Sequence, residues 1–209
     1  MNYTKYKYIF PPRPETKIPP SSLDTFDNGR YLAQPKLNGS CMVLFTDGKE
    51  VIVKNRHKQS FSNFKMDMDE LRRLHRGTGW MVLVGEYMNK NQKDETGKPW
   101  NIKFVIFDII VYEGIHKLNS SFQERQDLLN RLYKSNQSKL YLDHISDNVY
   151  RVQNLYSDFH THYRNITKID MFEGFVLKKI SGKLEQGTRE NNNTRTQLKC
   201  RKETKNYNF

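Results

Sequence analysis

Two runs constrain this chain more than anything else in it: WMVLVGEYM at 80–88 and IKFVIFDIIVYEG at 102–114. Both are rich in β-branched and aromatic residues and have strand length, far short of a membrane span. They predict buried strands, the first ending in the carboxylate Glu86. Around them the pattern alternates between strands and turns. Tyr31 to Pro35 and Cys41 to Thr46 predict two strands about a KLNG turn. DGKE at 47–50 predicts a hairpin turn, with Val51 to Lys54 as the returning strand. Met68, Leu71 and Leu74 predict an amphipathic helix over 66–76. Ser121 and Glu124 form a capping box ahead of Phe122, Leu128, Leu129 and Leu132, which predicts another. Leu155, Phe159 and Tyr163 share one face of an expected helix over 152–165. DMFEGFVLKKI (170–180) and RTQLKCRK (195–202) predict the last two strands, with a polar stretch, 182–193, between them. The expected class is α+β, mainly antiparallel sheets with flanking helices.

Residues 1–25 carry five of the seven prolines and predict an extended lead-in; 26–209 is the expected folded domain. The N-terminus lacks the apolar core of a secretory signal, so a cytoplasmic protein is expected. The two cysteines, Cys41 and Cys200, form neither a disulfide framework nor a zinc motif. His160 and His162 are two apart, which on a helix points them in different directions. Lys and Arg number 35 against 23 Asp and Glu, a net charge of +12. A field of that size favours polyanions, nucleic acid ahead of an acidic membrane.

Chemistry-bearing residues recur at strand ends. Lys36 sits in QPKLNGSC between two apolar runs, which places an ammonium partly out of water, where a lysine becomes a nucleophile. Glu86 ends a buried strand, Glu173 opens EGFVL, and Lys199 and Arg201 share a face of the final strand. A lysine, two carboxylates and two cations form a sensible inventory for attack on a nucleotide α-phosphate. The carboxylates suit a divalent metal or a ribose hydroxyl, and the cations suit developing phosphate charge.

In this order and spacing, the residues resemble the covalent nucleotidyltransferases: ATP-dependent DNA and RNA ligases, with mRNA-capping enzymes as cousins. KLNG (36–39) resembles the K-x-D-G motif whose lysine carries the nucleotide; KNRH (54–57), VGEYM (84–88), FVIFDII (104–110), EGFVLKK (173–179) and QLKCRK (197–202) resemble the elements that follow. The resemblance covers residues 26 to 203. It implies a ligase-type adenylation domain in which Lys36, Arg56, Lys199 and Arg201 are catalytic. It further implies that Gln34, Lys36, Gly39, Arg56, Glu86, Phe107 and Lys199 hold the nucleotide, Phe107 by stacking on adenine. Glu173 and Glu86 would face Mg²⁺ or Mn²⁺. Asp108, beside Phe107, is read as structural.

Three departures stand out: Asn38 for the common Asp, Cys41 where many DNA ligases carry Arg, and Arg201 for a second lysine. The sequence ends at Phe209, which leaves no room for the OB-fold domain that usually follows; the expectation is a minimal ligase, of the compact form that suggests a phage or viral source, or a piece of something longer. In a minimal ligase the charge would grip substrate, through Lys199, Arg201, Lys202, Lys205 and the lysines of 90–103. The implied activity joins a 5′-phosphate to a 3′-hydroxyl in nicked duplex DNA or an RNA-containing duplex through lysyl-AMP, in a monomer. Two alternatives stay open: a capping-type guanylyltransferase using GTP, and a non-catalytic basic nucleic-acid-binding module.

Overall fold

The computed structural model describes residues 7–135, 137–184 and 193–202. Most of the 182–193 stretch, and Lys205, lie outside the described residues. In chain order the strands are β1 (Arg13–Pro14), β2 (Tyr31–Leu37), β3 (Ser40–Thr46), β4 (Val51–Asn55), β5 (Met81–Met88), β6 (Lys103–Tyr112), β7 (Ile115–His116), β8 (Ser138–Lys139), β9 (Leu142–Ser146), β10 (Val149–Val152), β11 (Phe172–Lys179), β12 (Asn193–Thr194) and β13 (Gln197–Arg201). The helices are α1 (Leu23–Phe26), α2 (Met68–Arg72), α3 (Phe122–Leu132) and α4 (Phe159–Ile166).

The two apolar runs are β5 and β6, antiparallel neighbours at the centre of an eight-stranded sheet ordered β4-β3-β5-β6-β10-β9-β8, with β7 on β6. Val82, Leu83, Val84, Val105, Ile106 and Ile109 are all but sealed from water. Both faces of the sheet are therefore covered, which is what continuous apolar strands require. Pairing is antiparallel except β6–β10 and the two-residue β1–β12. A smaller antiparallel sheet runs β13-β11-β2. The α+β class with mainly antiparallel sheets and flanking helices is thus what the structure has.

The helices follow local chemistry. The capping box forms as expected: Glu124 N donates to Ser121 Oγ at 3.2 Å and Ser121 N donates to Glu124 Oε2 at 2.6 Å. α2 is five residues rather than eleven: Asp67 caps its start by accepting from Asp69 N, and beyond Arg72 the chain tightens into i→i−3 bonds, Leu74 N to Leu71 O and His75 N to Arg72 O. The helix expected over 152–165 begins only at Phe159. Leu155 falls on the helical stripe with Phe159 and Tyr163, but its backbone pairs with Ala33 in both directions, at 2.8 and 2.9 Å. The chain then turns through Asp158 in the left-handed region, φ 56°, before α4 starts. Trp80 and Trp100 are both core residues, 7% and 4% exposed. No helix among the described residues is long and apolar enough to cross a membrane.

The proline-rich lead-in is extended and integrated from residue 7 to 19, but its end is helical, contrary to the extended segment expected over 1–25: a 3₁₀ turn at Pro20–Ser22 runs straight into α1. Tyr8 and Ile9 are buried with Val43, Val82 and Ile110 on one face of the large sheet. Further on, Lys199 N donates to Thr16 O and Ile18 N donates to Lys199 O, both at 3.0 Å, so the segment flanks β13 of the small sheet. Leu23 then enters the main core. The segment straddles the gap between the two sheets.

Candidate active site

That gap is a cleft of about 840 Å³. All nine residues singled out from the sequence line it: Gln34, Lys36, Gly39, Arg56, Glu86, Phe107, Glu173, Lys199 and Arg201. They arrive from six separate stretches of chain.

Sheet register sets the positions. In the small sheet Lys36, Gly174 and Arg201 lie in one row across β2, β11 and β13; Gln34, Val176 and Lys199 form the next. Gly174 carries no side chain, which leaves a gap between Lys36 and Arg201. A Cβ there would sit 2.1 Å from the Cys200 carbonyl oxygen, and its φ of +133° also demands glycine. Beside that gap, Glu173 Oε2 meets Lys36 Nζ at 2.5 Å and Arg201 Nε at 3.2 Å. Lys36 is withdrawn from water, its side chain 18% exposed, but it is not bare: Glu173 pairs with it.

The β2–β3 turn carries the chain from the small sheet to the large one. Gly39 N donates to Glu86 Oε1 at 3.1 Å across that junction. A Cβ on Gly39 would approach the Tyr87 carbonyl oxygen to 2.4 Å. Burial pushes the Glu86 carboxyl up to about 7; Lys36 opposes the shift, Glu173 adds to it, and the Gly39 hydrogen bond opposes it. Asn38, in place of the expected aspartate, accepts from Lys90 Nζ at 3.3 Å. Cys41 lies beside Arg56, and burial pushes its thiol up to about 12, with Arg56 the main opposing charge.

The inner end of the cleft is built for a flat group. Phe107 and Val176 line it. Gln34, only 1% exposed, donates through Nε2 to Asn154 Oδ1 at 2.8 Å, Gln126 Oε1 at 3.1 Å and Phe107 O at 3.4 Å. Three acceptors around the NH₂ fix the amide's orientation. Its other atom, Oε1, is buried with no partner among the described residues. Lys178 stands diagonal to Gln34 on the same sheet face. It is 5% exposed, with Nζ 4.7 Å from the Phe107 ring centroid and 4.6 Å from that of Phe122. Nζ has no hydrogen bond or ion pair among the described residues. Burial pushes its ammonium down to about 8, against the pull of Asp108. An unpaired acceptor and an unpaired donor thus belong to two neighbouring residues that line the cleft.

Three lining cations were not singled out from the sequence: Arg13, Lys17 and Lys178. Lys178 belongs to the EGFVLKK run, yet only the convergence of Phe107 and Phe122 makes it a buried donor. Asp108 turns away from the cleft and pairs with Arg125 at 2.8 and 3.1 Å, as a structural residue does. As for the oxygen donors, Glu86 comes from β5 of the large sheet and Glu173 from β11 of the small one, and both line the cleft. Carboxylates are hard oxygen donors of the kind Mg²⁺ or Mn²⁺ takes, but among the described residues no three His, Cys, Asp or Glu side chains come together.

By sequence, the chain matches no protein-family model and no curated protein. By structure, it matches solved DNA ligases. Against a mycobacterial DNA ligase D complexed with ATP and MES, the TM-score is 0.65 at 15% identity, over 94% of this chain and 61% of that one. Against the ligase domain of LigD from M. tuberculosis it is 0.64 at 16% identity, over 93% and 59%. Against a Lig E DNA ligase, described as DNA binding with a minimal scaffold, it is 0.54 at 16% identity, over 93% and 70%. The chain spans about three-fifths of the length of the first two. The fold is that of the nucleotidyltransferase domain of ATP-dependent DNA ligases.

Proposed function

We propose that this chain is an ATP-dependent polynucleotide ligase that works through a lysyl-AMP intermediate. The observation that supports it most is the placement of Lys36: its Nζ touches Glu173 beside the side-chain-free gap at Gly174, with Arg201 beyond. The base would enter between Phe107 and Val176. Gln34 Oε1 would accept from the adenine 6-amino group, and Lys178 Nζ would donate to N1. Guanine presents the opposite pattern on that edge, an acceptor at O6 and a donor at N1, so both protein groups would be left unpaired.

Lys36 Nζ then attacks the α-phosphorus. Its N–P bond forms as the bond from the α-phosphorus to the β-bridging oxygen breaks, and pyrophosphate departs with that electron pair. Glu173 Oε2, already in contact with Nζ, is placed to take the ammonium proton before attack, which frees the lone pair; the second proton, released as the N–P bond forms, leaves with the pyrophosphate. Arg56, Lys199 and Arg201 counter the negative charge of the transferring group. Glu86 and Glu173 would hold Mg²⁺ or Mn²⁺, which supplies further neutralisation of the phosphates when bound. AMP next passes to a 5′-phosphate, and a 3′-hydroxyl displaces it. A nick in duplex DNA or an RNA-containing duplex presents both ends already aligned, which favours it as substrate over unpaired strands.

The test is incubation with α-labelled ATP or GTP and Mg²⁺, followed by intact mass. One AMP per chain is expected from ATP, with GTP slower by about 10²-fold or more. A GMP adduct would make it a capping-type enzyme; no adduct from either nucleotide, on protein free of bound AMP, would leave a binding module.

The pH profile gives a second check. With its carboxyl pushed up to about 7, Glu86 is protonated below that pH and ionised above it. Only the ionised form completes the oxygen-donor pair with Glu173. The rate of AMP labelling is therefore expected to rise as pH increases through about 7, and Glu86→Gln should be slow with that inflection removed. A wild-type rate flat from pH 6 to 8 would contradict this role.

A further inference from the structure

The lead-in segment puts cations where the reaction's leaving group must go. Among the described residues, the cleft is lined by eight Lys and Arg side chains and two carboxylates. Glu173 is engaged by Lys36 and Arg201, and Glu86 lies on the opposite sheet. The surplus is concentrated at one edge. Lys17 pairs with Lys199 as a parallel bridge, so the lead-in lies outside β13 in the position of a fourth strand. Arg13 lies one short step earlier on the same segment, where β1 pairs with β12.

We infer that Arg13 and Lys17 bind the β- and γ-phosphates of the nucleotide and hold the pyrophosphate as it leaves. This rests on the adenylyl-transfer reading above. The geometry follows from sheet register. One row runs Gln34, Val176, Lys199, Lys17. The base end is fixed by Gln34 and Val176, and the attacking Lys36 is one row along. Strands are ~4.8 Å apart, so Lys17 lies about 14 Å from the Gln34 strand. A nucleoside triphosphate laid along this row has its α-phosphate near Lys36, Lys199 and Arg201, and its β- and γ-phosphates reach the sheet edge. The bond that breaks must point away from Lys36, and that edge is where the lead-in places its charges. Like-charge crowding points the same way: Lys199 is pushed below its usual range by burial, then by Arg201, Arg13, Lys17 and Lys36. A polyanion relieves that repulsion.

The nucleic acid is the rival occupant of these cations, and the reaction separates the two. The variant is R13A/K17A; both residues are exposed, and the segment's sheet hydrogen bonds come from its backbone. Relative to wild type, kcat/KM for ATP in AMP labelling is expected to fall about 10- to 100-fold. The pyrophosphate concentration that drives AMP back off the labelled protein should rise comparably. Joining of a chemically pre-adenylylated nick, which needs no triphosphate, should stay within about twofold. The charge-preserving R13K/K17R should recover most of the loss. Unchanged ATP and pyrophosphate dependence would overturn the inference. So would a loss confined to the pre-adenylylated nick, which would assign the segment to nucleic acid, or equal losses in all three assays. Calorimetric titration of the AMP-free protein with pyrophosphate gives a readout independent of activity, and about tenfold weaker binding is expected in R13A/K17A. Wild-type protein that takes no AMP refutes the adenylyl-transfer reading; an unaltered R13A/K17A refutes only the role of the lead-in.

Discussion

Lys36→Ala is expected to abolish formation of the AMP adduct, with labelling at least about 10³-fold below wild type and no joining of a 5′-phosphorylated nick. No other lining amine can replace it. Lys178 Nζ stands over the Phe107 ring at the base end of the cleft, and Lys199 stands two strands away. The substitution should leave the fold intact, because the Lys36 side chain contributes an ion pair and little packing. It does leave Glu173 with Arg201 alone, so ATP affinity will change modestly. Lys36→Arg separates charge from nucleophilicity: it keeps a cation beside Glu173 but cannot form the adduct at neutral pH. The revealing contrast is a pre-adenylylated nick. There the lysine has already been bypassed, so Lys36→Ala should still seal it at a measurable rate. AMP labelling that survives in Lys36→Ala would place the nucleophile elsewhere and sink the mechanism.

Much of this site was legible in the sequence, because its chemistry sits at the ends of strands that the apolar pattern marks clearly. β5 and β6 announce themselves by composition, and Glu86 and Phe107 come with them. Lys199 and Arg201 follow from alternation along one strand. What escaped were relations that only tertiary packing creates. The unpaired Oε1 of Gln34 depends on Gln126 and Asn154, which lie 92 and 120 residues away. The ion pair between Lys36 and Glu173 spans 137 residues. Arg13 and Lys17 sit in a proline-rich segment with no periodicity to read, and only its pairing with β13 brings them to the cleft. The strands β8 to β10 were missed because they are short and carry Lys139, Asp143, His144 and Arg151 among their apolar residues. The premature helix start had a similar cause: Leu155 fits a helical stripe, and nothing local signals that Ala33 will pair with it.

Arg125→Ala is expected to give the largest loss of stability, about 3–5 kcal/mol. Arg125 and Asp108 are 2% and 3% exposed and form a two-point contact between α3 and β6. Arg125 Nη1 also donates to the Ser120 carbonyl at 2.8 Å, and its guanidinium lies 5.3 Å from the Phe122 ring centroid. Removing the arginine leaves the Asp108 carboxylate buried with one backbone donor, Ile109 N at 2.9 Å. A buried carboxylate that has lost its two-point partner, with Lys178 as the remaining nearby cation, accounts for most of the cost; lost packing of the arginine stem adds to it. Against a total stability of roughly 5–15 kcal/mol for a domain, this loss is large. Urea unfolding should therefore show a much lower midpoint with an unchanged slope. The paired variant D108L/R125M tests the cause, since replacing both ions by apolar groups removes the stranded charge. It should recover most of the stability and, because Asp108 faces away from the cleft, should still accept AMP. Arg125→Ala costing under about 1 kcal/mol would mean the pair is no anchor. A stable D108L/R125M that cannot be labelled would instead make Asp108 part of the reacting site, contrary to its placement beneath Phe107.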